Sequence, residues 1–154
     1  MIYIKEYNEY KDIDAICQRY GITNYTINNG LVDVDASVNL VNRKLTKLPL
    51  QFGKVTGNFF CDNNQLTTLE GAPKTVEGNF YCYSNQLTTL EGGPKEVGGD
   101  FYCVNNPLPK EIYTYQKYIK EIIKWQDDYN IWRDGKLDPF RFGELIKDIE
   151  DDIH

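Results

Sequence analysis

Val55-Thr-Gly-Asn-Phe-Phe-Cys-Asp-Asn-Asn-Gln-Leu-Thr-Thr-Leu-Glu-Gly-Ala-Pro-Lys74 returns as Val76-Glu-Gly-Asn-Phe-Tyr-Cys-Tyr-Ser-Asn-Gln-Leu-Thr-Thr-Leu-Glu-Gly-Gly-Pro-Lys95. It begins once more at Val97-Gly-Gly-Asp-Phe-Tyr-Cys-Val-Asn-Asn106. The spacing is 21 residues, read from Cys61 to Cys82 to Cys103. A degenerate copy lies one period upstream, Val34-Asp-Ala-Ser-Val-Asn-Leu-Val-Asn-Arg-Lys-Leu-Thr-Lys-Leu-Pro49, which makes four rungs with the last truncated. A fixed period of this length marks a solenoid, in which a unit buries its apolar side only by stacking on its neighbours.

Each recurring residue type has a physical reason. Phe59, Phe80 and Phe101 alternate with Cys61, Cys82 and Cys103 across a single outward position, so both sets point inward from a short strand. Asn64, Asn85 and Asn106 fall where the chain leaves that strand. A column of amides there can satisfy loop backbone groups that would otherwise be buried without partners. Leu66, Leu87 and Leu108, followed by Leu69 and Leu90, fill the core beneath the turn. Gly57, Gly78 and Gly99 are expected to permit a tight return before each strand, and Pro73 and Pro94 to stiffen an extended back side without regular helix.

The pattern Phe-x-Cys-x-x-Asn-x-Leu-x-x-Leu resembles the later part of the leucine-rich-repeat consensus, with phenylalanine and cysteine in two leucine places. The units resemble the short repeats of bacterial effector proteins. They are more similar still to small repeat proteins of bacteriophages and bacteria that carry Leu-Thr-x-Leu-Glu-Gly-x-Pro-Lys-x-Val. The resemblance spans Val34 to about Leu108. It implies a curved parallel sheet whose concave side binds proteins, and a factor that sequesters or inhibits a host (defence) protein, acting in the host cytoplasm if the chain is phage-encoded. The effector enzymes carry a separate domain with a nucleophilic cysteine, whereas no cysteine follows Cys103 here.

A solenoid exposes its core at both ends unless something covers them. Before the repeats, Tyr10, Ile13, Ile16, Cys17 and Tyr20 share a helical face that ends at Gly21. Tyr25-Thr-Ile-Asn, Asn29-Gly30 and Leu31-Val-Asp-Val then read as a hairpin with a type I′ turn. After the repeats, Ile112, Tyr115, Ile119, Ile122 and Ile123 define one helix face, and Tyr129 to Gly135, with Trp132, reads as a linker. Asp138-Pro139 starts a second helix striped by Phe142, Leu145, Ile146, Ile149 and Ile153. The predicted fold is therefore an α/β solenoid: a helix-hairpin cap over 1–33, a short leucine-rich-repeat parallel sheet over 34–109, and a two-helix cap over 110–154.

Composition narrows function. The net charge of −6 comes without a basic cluster, which disfavours nucleic acid and anionic membranes. The opening Met1-Ile-Tyr-Ile-Lys-Glu is too polar for a signal peptide and no apolar run reaches membrane-spanning length, so a cytoplasmic protein with reduced thiols is expected. The sole histidine is His154 and the two serines are Ser37 and Ser84, so no nucleophile-base pair can be drawn and no enzyme is expected. Asp134-Gly135 in a calcium loop would put Trp132 and Arg141 at ligand positions, which excludes it. Asp33, Asp35 and Asp62 read as a solvated acidic face. The cysteine column lacks a histidine or fourth thiol for zinc and reads as core, so neither metal nor cofactor is expected.

The outward strand positions remain. They form three columns: Ser37, Asn58, Asn79, Asp100; then Asn39, Phe60, Tyr81, Tyr102; then Val41, Asp62, Tyr83, Val104. Exposed aromatic stripes mark interaction sites. Phe60, Tyr81, Tyr102, Tyr83, Asn58, Asn79, Asp100 and Asp62 are accordingly the candidate contacts to a partner protein on the concave face of a monomer. The alternative is an assembly protein that oligomerises through its helical caps.

Overall fold

The computed structural model of the chain describes residues 12–153. Tyr10, His154 and the side chain of Ile153 lie outside what is described. The fold is a parallel-sheet β-solenoid of about three turns with helices before and after it among the described residues. Helix α1 covers 12–19. β1 (Tyr25–Asn28) and β2 (Leu31–Val34) form the expected antiparallel hairpin. Its turn residues Asn29 (φ 52°) and Gly30 (φ 78°) both have the positive φ of a type I′ turn.

Each turn of the solenoid then contributes two short strands. The front sheet is β3 (Val38–Asn39), β5 (Phe59–Phe60), β7 (Phe80–Tyr81) and β9 (Phe101–Tyr102), all parallel. Its register equals the repeat, Val38↔Phe59↔Phe80↔Phe101. The back side is itself a sheet, β1-β2-β4-β6-β8, with β4 (Phe52–Val55), β6 (Thr75–Val76) and β8 (Glu96–Val97).

Between the sheets lies a continuous core. Phe59, Phe80 and Phe101 stack with centroids 5.2 Å apart, and Cys61, Cys82 and Cys103 are fully buried beside them. Burial raises all three thiol pKa values, Cys103 to about 12, so the thiols stay protonated at neutral pH. The amide column is in place. Asn85 donates from Nδ2 to Cys61 O and Cys82 O, both at 3.0 Å, while its Oδ1 accepts Leu66 N–H at 3.0 Å. Asn64 and Asn106 repeat the arrangement one rung to either side. The residue before each of these turns is left-handed: Asn63, Ser84 and Asn105 have φ of 56°, 55° and 58°.

Gly57, Gly78 and Gly99 correct the expectation attached to them. None has positive φ, so no turn geometry demands glycine there. The constraint is clearance between rungs: a Cβ on Gly78 would fall on Asn58 Oδ1 and lie 2.7 Å from Gly57 O.

The C-terminal region also departs from a simple helix pair. One continuous apolar face was expected over Ile112 to Ile123. The chain instead forms α2 (Lys110–Thr114), a 3-10 turn (Gln116–Tyr118) and α3 (Ile119–Trp125). Tyr115 and Tyr118 leave helical geometry. The preceding Tyr113 is anchored to the last rung, its hydroxyl donating to Cys103 O or Asn106 O. Ile112, Ile119, Ile122 and Ile123 are nonetheless all buried.

The expected linker is a second hairpin, β10 (Trp132–Arg133) and β11 (Lys136–Leu137), turned by Asp134 and Gly135 at positive φ. Trp132 Nε1–H donates to Gln126 Oε1, and Gln126 Nε2–H donates to Leu90 O, each at 2.8 Å. That relay ties the C-terminal region to the third rung. α4 (Pro139–Ile153) starts as predicted, with Arg141 N–H donating to Asp138 Oδ1. Among the described residues no helix is long and apolar enough to cross a membrane.

The two kinds of glycine separate cleanly in a test. Gly78→Ala is expected to lower the unfolding free energy by about 2 kcal/mol, because its neighbours are backbone and an engaged amide. Gly143→Ala, in α4 with nothing within 4 Å of its Cβ, is expected to raise it by about 0.5–1 kcal/mol. Urea denaturation of both variants measures the contrast.

Candidate functional site

The outward face of the front sheet is built by its register. Phe60 and Tyr81 lie side by side with centroids 4.7 Å apart and planes 1° from parallel. Tyr81 and Tyr102 follow at 5.0 Å and 9°. Tyr83 meets Tyr81 edge-on at 6.4 Å and 83°. The three-ring ridge predicted from the repeat is therefore present.

Its exposure differs from the expectation. Stacked face to face, Phe60 and Tyr81 are half-buried, while Tyr102, which has no next ring to cover it, is 39% exposed. Two phenol groups are pinned: Tyr81 Oη accepts Asn79 Nδ2–H at 2.9 Å, and Tyr102 Oη–H donates to Asp100 Oδ2 at 3.0 Å. The Asp100 carboxylate raises the Tyr102 pKa because it hydrogen-bonds the protonated phenol. Pinned, stacked rings have little rotamer freedom left to lose on binding.

The first column is mostly occupied in holding rungs together. Ser37 Oγ accepts Asn58 N–H at 2.9 Å, Asn58 Oδ1 accepts Asn79 N–H at 2.8 Å, and Asn79 Oδ1 accepts Asp100 N–H at 2.8 Å. Asn58 and Asn79 thus spend their carbonyl oxygens on the fold. Asp100, at the end of the column, keeps Oδ1 without a partner among the described residues.

Asp62 overturns its assignment to a solvated acidic face. Only 3% exposed, it lies in the column beside Tyr83, whose pKa the carboxylate raises. Asn63 Nδ2 donates to Asp62 Oδ2 at 3.3 Å, and Asp62 Oδ1 is buried with no hydrogen-bond partner among the described residues. Position in the column foretold its direction, but not the cover that its neighbours provide. Asp33 and Asp35 are also engaged, on the back sheet. Asp33 Oδ1 accepts Lys54 N–H at 2.8 Å, and Asp35 Oδ1 accepts the Thr56 hydroxyl at 2.9 Å. Among the described residues no group of three or more His, Cys, Asp or Glu is placed to hold a metal ion.

The third column placed one further outward residue, Val104, which was not among the candidate contacts. Val104, two residues after Tyr102 and so on the same face of the edge strand's continuation, is 49% exposed. Its signal was its place at the end of the third column.

Comparison of the chain with protein families, with curated proteins and with solved structures found no match.

The unpartnered Oδ1 of Asp62 generates a stability prediction. The equivalent positions in the outer rungs are Val41 and Val104. Asp62→Val is expected to stabilise the fold by about 1 kcal/mol or more, since a buried carboxyl group with an unmet oxygen is exchanged for an apolar group of similar size. A shift of the urea midpoint to higher concentration is the expected readout. A lower midpoint would show that the carboxylate is stabilising in place.

Proposed function

We propose that this chain is a protein-binding module of leucine-rich-repeat type that engages its partner with the outward face of the front sheet. One observation carries the reading: Phe60, Tyr81 and Tyr102 form a ridge of parallel rings whose order is already paid by the fold. Aromatic groups held rigid in this way supply contact area at low entropic cost. Asp100 and Tyr83 border the ridge with polar groups that can fix orientation. The similarity of the repeats to those of small phage and bacterial proteins favours a cytoplasmic factor that sequesters or inhibits a host protein, and catalysis has no part in this reading.

Tyr81→Ala is expected to weaken capture of the partner from the native host at least about tenfold, equivalent to about 1.4 kcal/mol. The cost in stability should be smaller than for a core position. Thr68→Ala, on the returning side of the solenoid, should leave capture unchanged. Normal capture by Tyr81→Ala together with loss in Thr68→Ala or in Lys147→Glu on α4 would exclude the front face.

In the same reading the terminal elements act as caps, supported by the burial of Ile112, Ile119 and Ile122. Deletion from Lys110 onward is expected to give an aggregating or unfolded chain, and a monomeric, cooperatively unfolding truncation would contradict this. Assembly through the helices is the second reading. It is favoured by Phe140, 74% exposed on α4, and Trp125, 41% exposed on α3. Light scattering separates the two, since a defined oligomer supports assembly and a monomer supports the module.

A further inference from the structure

The last rung departs from the inner ones at an outward position: Asn58 and Asn79 are followed in their column by Asp100. The local geometry is otherwise copied. Asn79 Nδ2–H donates to Tyr81 Oη at 2.9 Å, while Asn79 Oδ1 accepts the N–H of Asp100 at 2.8 Å. One rung on, Asp100 Oδ2 accepts Tyr102 Oη–H at 3.0 Å. That contact puts Oδ2 in the place of the amide nitrogen, and Oδ1 in the place from which Asn79 reaches forward. No further rung supplies a donor there. The column therefore ends in a carboxylate, where the inner rungs use an amide to hold their successor.

The ring beside it also ends uncovered. Tyr81 stacks on one face of Tyr102 at 5.0 Å, and among the described residues neither a ring nor a cation lies over the other face. Tyr102 is 39% exposed, Val104 is 49% exposed two residues on, and Asp100 is exposed, so all three meet solvent as the structure stands.

Asp100 and Tyr102 line an open groove whose other wall includes Lys117 and Lys120. Neither lysine neutralises the carboxylate. Lys117 Nζ lies over the Tyr118 ring at 4.9 Å, and Lys120 Nζ is turned to Gly98 O at 3.5 Å. No ion pair reaches Asp100 among the described residues. Of the outward residues in the three columns, those with charged side chains are Asp62 and Asp100. Asp62 is covered, so Asp100 is the charge that a partner meets on this face.

We propose that Asp100 and Tyr102 form a receptor for an arginine side chain of the partner protein, its guanidinium stacked on the uncovered face of Tyr102 and paired with Asp100 Oδ1. This rests on the protein-binding reading and names the group that the front face recognises. The chemistry selects arginine over lysine. A guanidinium is planar, so it continues the ring stack, and its N–H donors lie in its own plane, directed at a carboxylate beside the ring. An ammonium is a more strongly hydrated point charge with no plane to stack. The phenol hydrogen bond holds the carboxylate in place before the partner arrives, which lowers the ordering cost of binding. Val104 offers apolar surface to the methylene stem.

The probe is the blocked tripeptide acetyl-Gly-Arg-Gly-amide, titrated at millimolar concentration into the intact protein and followed by NMR. The Asp100, Tyr102 and Val104 amides should shift together and saturably. Replacing the peptide's arginine by lysine, or by neutral citrulline, should weaken binding at least about threefold. Asp100→Asn installs the residue that the inner rungs carry, so the fold is kept, and it should weaken the arginine peptide at least about fivefold. Tyr102→Leu should weaken it at least about threefold, and Tyr81→Phe, behind the end ring, less than about 1.5-fold. Equal binding of the arginine and lysine peptides, or undiminished binding to Asp100→Asn, overturns the receptor. If the receptor fails in this way while Tyr81→Ala still abolishes partner capture, the front-face reading stands without it. Undiminished capture of the native partner by Asp100→Asn, with the peptide behaving as expected, shows that the partner brings no arginine to this place and likewise overturns the proposal.

Discussion

The rungs of this solenoid are held in register by asparagine. One amide of each unit donates to the carbonyl of its own strand and to that of the preceding rung, and accepts from the loop below. Those backbone groups sit where the chain has left one sheet without entering the other, and water is excluded. Without the amide each turn would bury unpaired polar groups, at a cost of about 1–3 kcal/mol apiece. With it, the turn becomes a fixed corner. Two-residue strands, too short to pair stably alone, can then stack at one spacing. The aromatic ridge is a product of that spacing, since rings on strands so paired must lie parallel.

The repeat made the inward residues legible because four kinds of side chain recur at a strict period: Phe59, Cys61, Asn64 and Leu66 are each buried as the pattern predicted. The second sheet was less legible. Thr75-Val76 and Glu96-Val97 are too short to show alternation, and only the fold's closure makes them strands. The hairpin at Asp134-Gly135 was hidden because the residues around it have no alternating pattern. Trp132 is organised instead by Gln126, a contact across secondary structure that no local rule anticipates.

For the candidate site, period predicted direction and failed on depth. Phe60, Tyr81 and Tyr102 do share one column, and Asp62 does follow Cys61 on the outward side. How far each is exposed depends on what the neighbouring rung supplies: a ring covers a ring, and Tyr83 stands beside Asp62. The same dependence explains why Asn58 and Asn79, which looked free for recognition, are engaged with the rung that follows.

The clearance at Gly57, Gly78 and Gly99 has a consequence for how such a chain can change over time. Each glycine makes room for a side-chain oxygen of the preceding unit, so the fit is between units and not within one. A new unit is therefore acceptable only if it carries both halves of the fit, the glycine that yields space and the side-chain oxygen that fills it. Duplication of a whole 21-residue segment preserves both, whereas insertion or loss of a fragment breaks two junctions at once. Lineages of such chains should differ in length by complete repeats, gained in the middle, while the specialised ends stay single.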